Sequence, residues 1–129
     1  MKCYFTTCCA EKREDEKLLP AKERYQSERV KYVVSESERL NVPLLFLSGK
    51  YGVLDANDLI PWYDKALTEK DIDDLIPKVV EQLSNRDVTE ITLFARPRRT
   101  SGWGPYYAVI EQACEELNIN IEYRMVDVE

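Results

Sequence analysis

Short runs of β-forming residues alternate along this chain with longer runs of helical periodicity, and this alternation restricts the possible folds more than any other feature. The strand-like runs are residues 2–8, 43–48, 88–95 and 119–126. The helix-like runs are residues 20–40, 72–83 and 105–117. Because the order β-α-β-α-β-α-β is typical of a parallel sheet with crossover helices, we predict an α/β fold. We expect a three-layer domain with a mostly parallel four-stranded sheet and helices on both faces.

The segments between these runs are predicted to be irregular. Residues 9–19 form a charged loop, and residues 53–67 are rich in Asp, Asn and Pro, which discourage regular structure. Pro77 lies inside the second helical run and predicts a kink or a new helix start there. Residues 119–126 alternate apolar and polar side chains, as an edge strand does. No linker or repeat divides the chain, so residues 1–129 are predicted to form a single α/β domain.

Composition narrows the classes of function. The chain has 129 residues and a net charge of −6, which disfavours non-specific binding of nucleic acid by its whole surface. It has no histidine, so acid–base chemistry near pH 7 would need Cys, Lys, Tyr or a perturbed carboxylate. No run approaches the ~20 apolar residues of a membrane span, and the first residues do not resemble a signal peptide. We expect a cytoplasmic protein that does not bind membranes.

The cysteines are expected to be reduced thiols rather than metal ligands. Cys8 and Cys9 are adjacent, Cys114 falls on the apolar face of a helical run, and no C-x2-C spacing or histidine accompanies them. We therefore predict no metal and no cofactor. A redox or iron-related role for Cys3, Cys8 and Cys9 is the open alternative, motivated by three thiols within seven positions.

The residues that follow the strand-like runs are the candidates for a ligand site. In open parallel sheets, ligands bind beyond the carboxyl ends of the strands. The segments after residues 8, 48 and 95 are polar or basic, in contrast to the acidic chain as a whole. The predicted ligand-binding residues are Lys12, Ser48, Gly49, Lys50, Tyr51, Gly52, Tyr63, Arg96 and Arg98.

The segment Ser48-Gly49-Lys50-Tyr51-Gly52 has the composition of an anion-binding turn. Two glycines allow close approach of the backbone, whose N–H groups could hold an anion together with Lys50. The spacing is not that of a Walker A loop, and a simple turn with an exposed lysine is the alternative. Arg96 and Arg98 suit phosphate or carboxylate, although a solvated loop would have the same composition.

Cys8 and Asp64 are the predicted catalytic residues. Cys8 ends a strand, where a thiolate activated by Lys12 or by an arginine could act as a nucleophile. The alternative is that it packs as a small apolar side chain. Asp64 could act as a general base or nucleophile, and the preceding Trp62 and Tyr63 could stack on a flat ring or fix the loop to the core. Tyr25 and Tyr32 are predicted to belong to the core.

Residues 45–64 resemble a segment of the bacterial peroxide-stress (YaaA) family. They are more similar to uncharacterised prokaryotic and phage domains that share the motifs C-S-x-x-K, P-A-x-x-x-Y, S-A-K-Y-G-L and P-Y-D. Residues 8–12 and 20–25 of this chain stand in the same order. Two departures occur, since Cys9 replaces the serine of the first motif and Trp62 interrupts the last. The resemblance covers residues 3–67.

The resemblance implies a shared site but does not name a substrate. Its residues would be Cys8, Lys12, Ser48, Lys50, Tyr51, Gly52, Tyr63 and Asp64. The leading hypothesis rests on the cations and aromatic side chains after the strands. It is an enzyme or enzyme-like domain that binds a small anionic or nucleotide-like ligand and acts on nucleotides, nucleosides or nucleic-acid components. The alternative is a non-catalytic DNA- or protein-binding module in a stress response, because the peroxide-stress family is associated with DNA binding and protection from oxidative DNA damage. A local basic rim could then contact nucleic acid, and the oligomeric state stays open.

Overall fold

The computed structural model describes residues 1–129. The strands are β1 (Lys2–Thr7), β2 (Leu19–Pro20), β3 (Leu44–Ser48), β4 (Gly52–Asp55), β5 (Leu59–Ile60), β6 (Glu90–Ala95) and β7 (Asn120–Met125). The helices are α1 (Ala21–Arg24), α2 (Glu28–Leu40), α3 (Ile72–Ser84) and α4 (Gly104–Leu117), with a 3-10 turn at Glu69–Asp71 before α3. No helix has the length and apolar character required to cross a membrane.

The main sheet has five strands in the order β4-β3-β1-β6-β7. Strands β3, β1, β6 and β7 are parallel to one another, whereas the edge strand β4 is antiparallel to β3. The prediction of a mostly parallel sheet with helices is confirmed, but the predicted count of four strands is wrong. The additional strand, β4, lies at the start of the segment predicted to be irregular. Gly52 has φ of +74°, which lets the chain reverse so that Val53 pairs with Leu47.

Three further local predictions differ from the structure. The helical run 20–40 is divided, because Tyr25 is extended and Ser27 caps a new helix by accepting a hydrogen bond from the N–H of Val30. Residues of the two predicted loops pair as the short antiparallel strands β2 and β5. Pro77 lies inside α3, which continues as one helix to Ser84. The expected new helix start at Pro77 is therefore not seen.

The core consists of two clusters, and successive side chains of β1 alternate between them as strand geometry requires. Cys3 and Phe5 belong to the cluster that contains the buried residues of α3 and α4. Tyr4 belongs to the cluster that contains those of α1 and α2. Tyr25 is completely buried in that second cluster, but Tyr32 is 47% exposed. The core prediction for Tyr32 is wrong, because Arg29, Val30, Val33 and Ser37 form the buried face of α2.

Candidate functional site

A cavity of about 300 Å³ opens beyond the carboxyl ends of β1 and β6. From β1 the chain passes to β3 on one side, and it later returns to β6 on the other side. Such a reversal of strand order leaves a crevice at the carboxyl ends of the two central strands. The side chains on the cavity wall that matter most for chemistry are Cys8, Lys12, Arg29, Asp64, Arg96 and Tyr106.

Arg29 is a buried cation in the wall of this cavity. The cap at Ser27 starts α2 there and places Arg29 in the first turn, where only 2% of the residue is exposed. Its guanidinium donates to Thr6 Oγ1 at 2.5 Å, and makes longer contacts with the carbonyls of Thr7 at 3.2 Å and Cys8 at 3.4 Å. It forms no ion pair with a carboxylate, and its Nε has no acceptor. Burial lowers the pKa of Arg29, but a guanidinium stays charged near neutral pH.

Trp103 forms the other side of the Arg29 site. The centre of the Arg29 guanidinium lies 4.9 Å from the centroid of the Trp103 ring, within the range of a cation–π contact. Gly102 precedes it with φ of +84°, a conformation that turns the chain immediately before α4. Trp103 is itself buried, so its ring gives the Arg29 guanidinium a fixed surface to pack against.

Cys8 is hydrogen-bonded to a tyrosine in the same cavity. The sulfur of Cys8 lies 3.3 Å from the hydroxyl of Tyr106, and that hydroxyl accepts from the N–H of Leu67 at 3.1 Å. Burial raises the pKa of Tyr106, so the phenol stays protonated. Either the phenol or the thiol can act as the donor in this contact. The neighbouring Cys9 differs, because it is half-buried and its sulfur donates to the carbonyl of Glu11.

Behind the cavity lies a buried cluster of three hydroxyl groups. The hydroxyl of Tyr63 is bonded to that of Tyr25 and, at 2.8 Å, to Ser48 Oγ. Burial raises the pKa of both tyrosines. Ser48 Oγ also accepts from the N–H groups of Lys50 and Tyr51, each at 3.1 Å. The amides of this turn are thus satisfied within the chain.

The two glycines of the same turn are required for different reasons. A Cβ atom on Gly49 would lie 2.7 Å from the backbone nitrogen of Leu67 and 2.9 Å from the carbonyl oxygen of Lys65. Gly52 is required by its φ of +74°, a conformation that other residues rarely adopt. Gly49 therefore allows the segment 64–67 to pass over the turn, and that segment supplies part of the cavity wall.

The structure brings some of the candidate residues together and separates others. Cys8, Lys12, Asp64 and Arg96 share the cavity wall. Lys12 Nζ lies 4.8 Å from the centroid of the Tyr63 ring. Lys50, Tyr51 and Gly52 lie outside the wall, but Lys50 Nζ is 5.9 Å from the centroid of the same Tyr63 ring.

Arg98 and Trp62 lie away from this cavity. Arg98 donates two hydrogen bonds of 2.7 Å to Glu111 on α4 and stacks on Tyr107. Trp62 is 47% exposed, whereas Tyr63 is 4% exposed. The adjacent aromatic residues 62 and 63 therefore form no common stacking surface.

The residues that sequence reasoning did not select are Arg29 and Tyr106. An arginine at the same helical face as Val30 and Val33 is an unusual pattern that could have identified Arg29. Tyr106 was hidden because it shares the apolar face of α4 with core residues.

The thiols and acidic groups form no recognisable metal site. All four cysteines are free, and no three Cys, Asp or Glu side chains gather in an arrangement suited to a metal ion. Burial raises the pKa values of Cys3 and Cys114 to about 12, so these two thiols stay protonated near neutral pH. Of the three thiols near the amino terminus, only Cys8 and Cys9 reach the cavity.

Comparison with known proteins identifies a family but no reaction. The model of a family of unknown function, DUF6884, matches residues 3–125. Comparisons with curated proteins and with solved structures gave no significant match. The expected membership in an uncharacterised domain family is confirmed, whereas the relation to the peroxide-stress family stays a prediction. Since the match covers nearly the whole sequence, this chain belongs to the DUF6884 family of unknown function.

Proposed function

We propose that the cavity between β1 and β6 binds a small anionic ligand of nucleotide type. The observation that carries this proposal is Arg29, a buried guanidinium in the wall with no carboxylate partner and an unpaired Nε. A buried charge without a counter-ion is costly. An anionic ligand would relieve that cost by pairing with it, and phosphate matches the geometry of a guanidinium.

The size and lining of the cavity favour a ligand of limited volume. About 300 Å³ is at the lower end of the range for small-molecule sites. Lys12 and Arg96 add positive charge to the wall, while Glu11 and Asp64 offer acceptors. A nucleoside monophosphate carries both a phosphate for the cations and donor groups for the carboxylates. The leading candidates are therefore nucleotides, nucleosides or fragments of nucleic acid.

If the site is catalytic, Cys8 is the proposed nucleophile and Asp64 the proposed general base. The contact of the Cys8 sulfur with the hydroxyl of Tyr106, which could donate to a thiolate, supports this role. Asp64 lies in the wall of the same cavity. An enzyme acting on nucleotides would use the cations to hold the phosphate.

The alternative is a non-catalytic module that binds DNA or a protein in a stress response. Its support is the resemblance of residues 45–64 to the peroxide-stress family, together with the cations Lys12, Lys50 and Arg96 around the cavity. The cavity is too narrow for a duplex, so this version would use single-stranded ends or damaged sites. Its affinity would fall steeply with salt.

Tryptophan fluorescence offers a direct test. The chain has two tryptophans, so the variant Trp62→Phe leaves Trp103, which contacts Arg29, as the single reporter. We expect nucleoside monophosphates to change its emission and to raise the melting temperature by mass action. In this background Arg29→Gln should raise the dissociation constant about ten-fold or more, which corresponds to ~1.4 kcal/mol.

The matched control is Arg39→Gln, which removes a guanidinium from the exposed face of the same helix. It should leave the affinity unchanged. Equal loss in both variants would indicate general electrostatics rather than a site. If phosphate and the monophosphates leave fluorescence and melting temperature unchanged at millimolar concentration, the proposal is wrong. Binding of oligonucleotides alone would favour the alternative.

A further inference from the structure

The two edge strands of the main sheet, β4 and β7, differ in whether side chains bond to their outward-facing backbone groups. At the β4 edge, the side chain of Gln82 accepts a hydrogen bond from the N–H of Val53 and donates one to the carbonyl of Tyr51. The N–H of Asp55 is bonded to the side chain of Asp58. At the β7 edge no side chain of the protein covers the strand, and five of its six residues are exposed. An uncovered edge strand presents free backbone groups to another strand.

The free backbone groups of β7 belong to its odd-numbered residues. The N–H of Asn120 bonds to Thr89, and the N–H of Val126 bonds to Ala95. Since the direction of backbone groups alternates along a strand, the even-numbered residues face β6. The N–H and C=O groups of Ile121, Tyr123 and Met125 therefore point away from the sheet.

We propose that β7 pairs in antiparallel fashion with β7 of a second copy of this chain, about a two-fold axis at Tyr123. This register places Tyr123 opposite its counterpart and Ile121 opposite Met125, as hydrogen-bonded pairs. It places Glu122 of each copy opposite Arg124 of the other, as a non-hydrogen-bonded pair in which side chains approach most closely. Two five-stranded sheets would then continue as one.

Charge complementarity selects this register. Centring the axis on Glu122 would oppose two carboxylates, and centring it on Arg124 would oppose two guanidinium groups. Like charges directly opposite one another destabilise a strand pair, and opposite charges stabilise it. Within the monomer both side chains are exposed and neither forms an ion pair. The guanidinium of Arg124 lies 5.6 Å from the centroid of the Phe94 ring, and a carboxylate of a second copy could pair with it from the solvent side.

The apolar residues of β7 lie on the other face of the same pairing. Tyr123 is 41% exposed and Met125 is 54% exposed, and the hydroxyl of Tyr123 donates to the carboxylate of Glu111. In the proposed dimer Met125 would cover the half-buried Ile121 of the other copy. Isolated charges on an edge strand usually prevent pairing, but here the opposite charges two residues apart make the strand complementary to itself.

Charge reversal tests the interface. Sedimentation equilibrium over a concentration series should show a dimer for the wild-type chain. Glu122→Arg and Arg124→Glu should each weaken dimerisation about ten-fold or more, because each replaces two attractive pairs with two repulsive ones. The double variant should restore the dimer, since it exchanges the partners and keeps both pairs. If the single variants failed to dimerise only because they were unfolded, the second substitution would not restore the dimer.

The control is the exchange Lys22→Glu with Glu38→Lys, an ion pair between α1 and α2, which should leave dimerisation unchanged. A wild-type chain that is monomeric at several hundred micromolar would overturn the proposal. So would a dimer that the single reversals do not weaken. The proposal does not depend on the ligand cavity, which lies at the strand ends rather than at the β7 edge.

Discussion

Two arginines are buried in this chain without a carboxylate partner, and they lie in regions of opposite character. Arg24 is completely buried, and its guanidinium donates to four backbone carbonyls at distances of 2.6–3.1 Å. Those carbonyls belong to Arg13, Asp15, Lys17 and Ile60. Arg29 is almost equally buried but has three contacts, of which only the one to Thr6 is short, and it lies in the wall of a cavity.

The difference separates a structural cation from a candidate ligand-binding cation. Around Arg24 the chain supplies acceptors for both terminal nitrogens of the guanidinium, which organises residues 13–17 against β5. Around Arg29 the chain supplies one short hydrogen bond, to Thr6. The Nε atom of each arginine lacks an acceptor, so neither burial nor an unpaired Nε distinguishes the two roles. The distinction is that Arg29 lies in the wall of a cavity that a ligand could enter, whereas Arg24 is not part of that wall.

The largest effect is expected from removing each guanidinium in turn. Arg24→Met should destabilise the fold by about 3 kcal/mol, because it leaves several buried carbonyls without a donor. Arg29→Met should cost about 1 kcal/mol or less, since it also removes an incompletely paired buried charge. Urea unfolding of both variants beside the wild type measures the difference. Equal losses would mean that Arg29 is as structural as Arg24.

A smaller effect is expected on the melting temperature when Asp71, which pairs with the cavity-wall residue Lys65, is replaced. Hydrogen bonds from Lys65 and from the backbone and hydroxyl of Thr68 lower the pKa of Asp71 from 3.8 to about 2. A carboxylate whose pKa is lowered by folding stabilises the fold above its ordinary pKa and loses that effect as the pH falls through the lowered value. Asp71→Asn should therefore melt below the wild type at pH 7, and the gap should close between about pH 4 and pH 2.

Asp74→Asn is the matched control for this pH dependence. Asp74 is an exposed carboxylate in the first turn of α3 and takes part in no ion pair. Its substitution should give a smaller gap in melting temperature across the same range. If the Asp71→Asn gap stays constant down to pH 2, the contact between Lys65 and Asp71 does not hold the segment 64–67 in solution.

The smallest effect is expected at Arg98, which the sequence grouped with Arg96. The Arg98–Glu111 pair is exposed, and such pairs contribute about 0–1 kcal/mol. Arg98→Gln should therefore change the unfolding free energy by at most about 1 kcal/mol. It should leave the affinity for nucleoside monophosphates unchanged. Calorimetric titration beside Arg96→Gln separates the two arginines. A loss of affinity at Arg98 as large as at Arg96 would extend the site beyond the cavity.

The fold was predictable from the sequence in its main outline. The buried run at 43–48 and the alternation at 119–126 identify β3 and the edge strand β7 correctly, because side-chain periodicity is a local property. Strand β4 was not predictable, since four residues are too few for a pattern and their pairing depends on the reversal at Gly52. The break at Tyr25 was likewise missed because the apolar spacing continues through it.

The sequence by itself determined which residues end the central strands, and so it placed Cys8, Lys12 and Arg96 near one edge of the sheet. Tertiary structure alone decided that Arg98 turns to Glu111, that the hydroxyl of Tyr106 meets the sulfur of Cys8, and that Arg29 reaches the same cavity from α2. The physical reason is that strand ends follow from local periodicity. Hydrogen-bond partners and burial depend on segments that are distant in the chain and meet only when the sheet and helices pack.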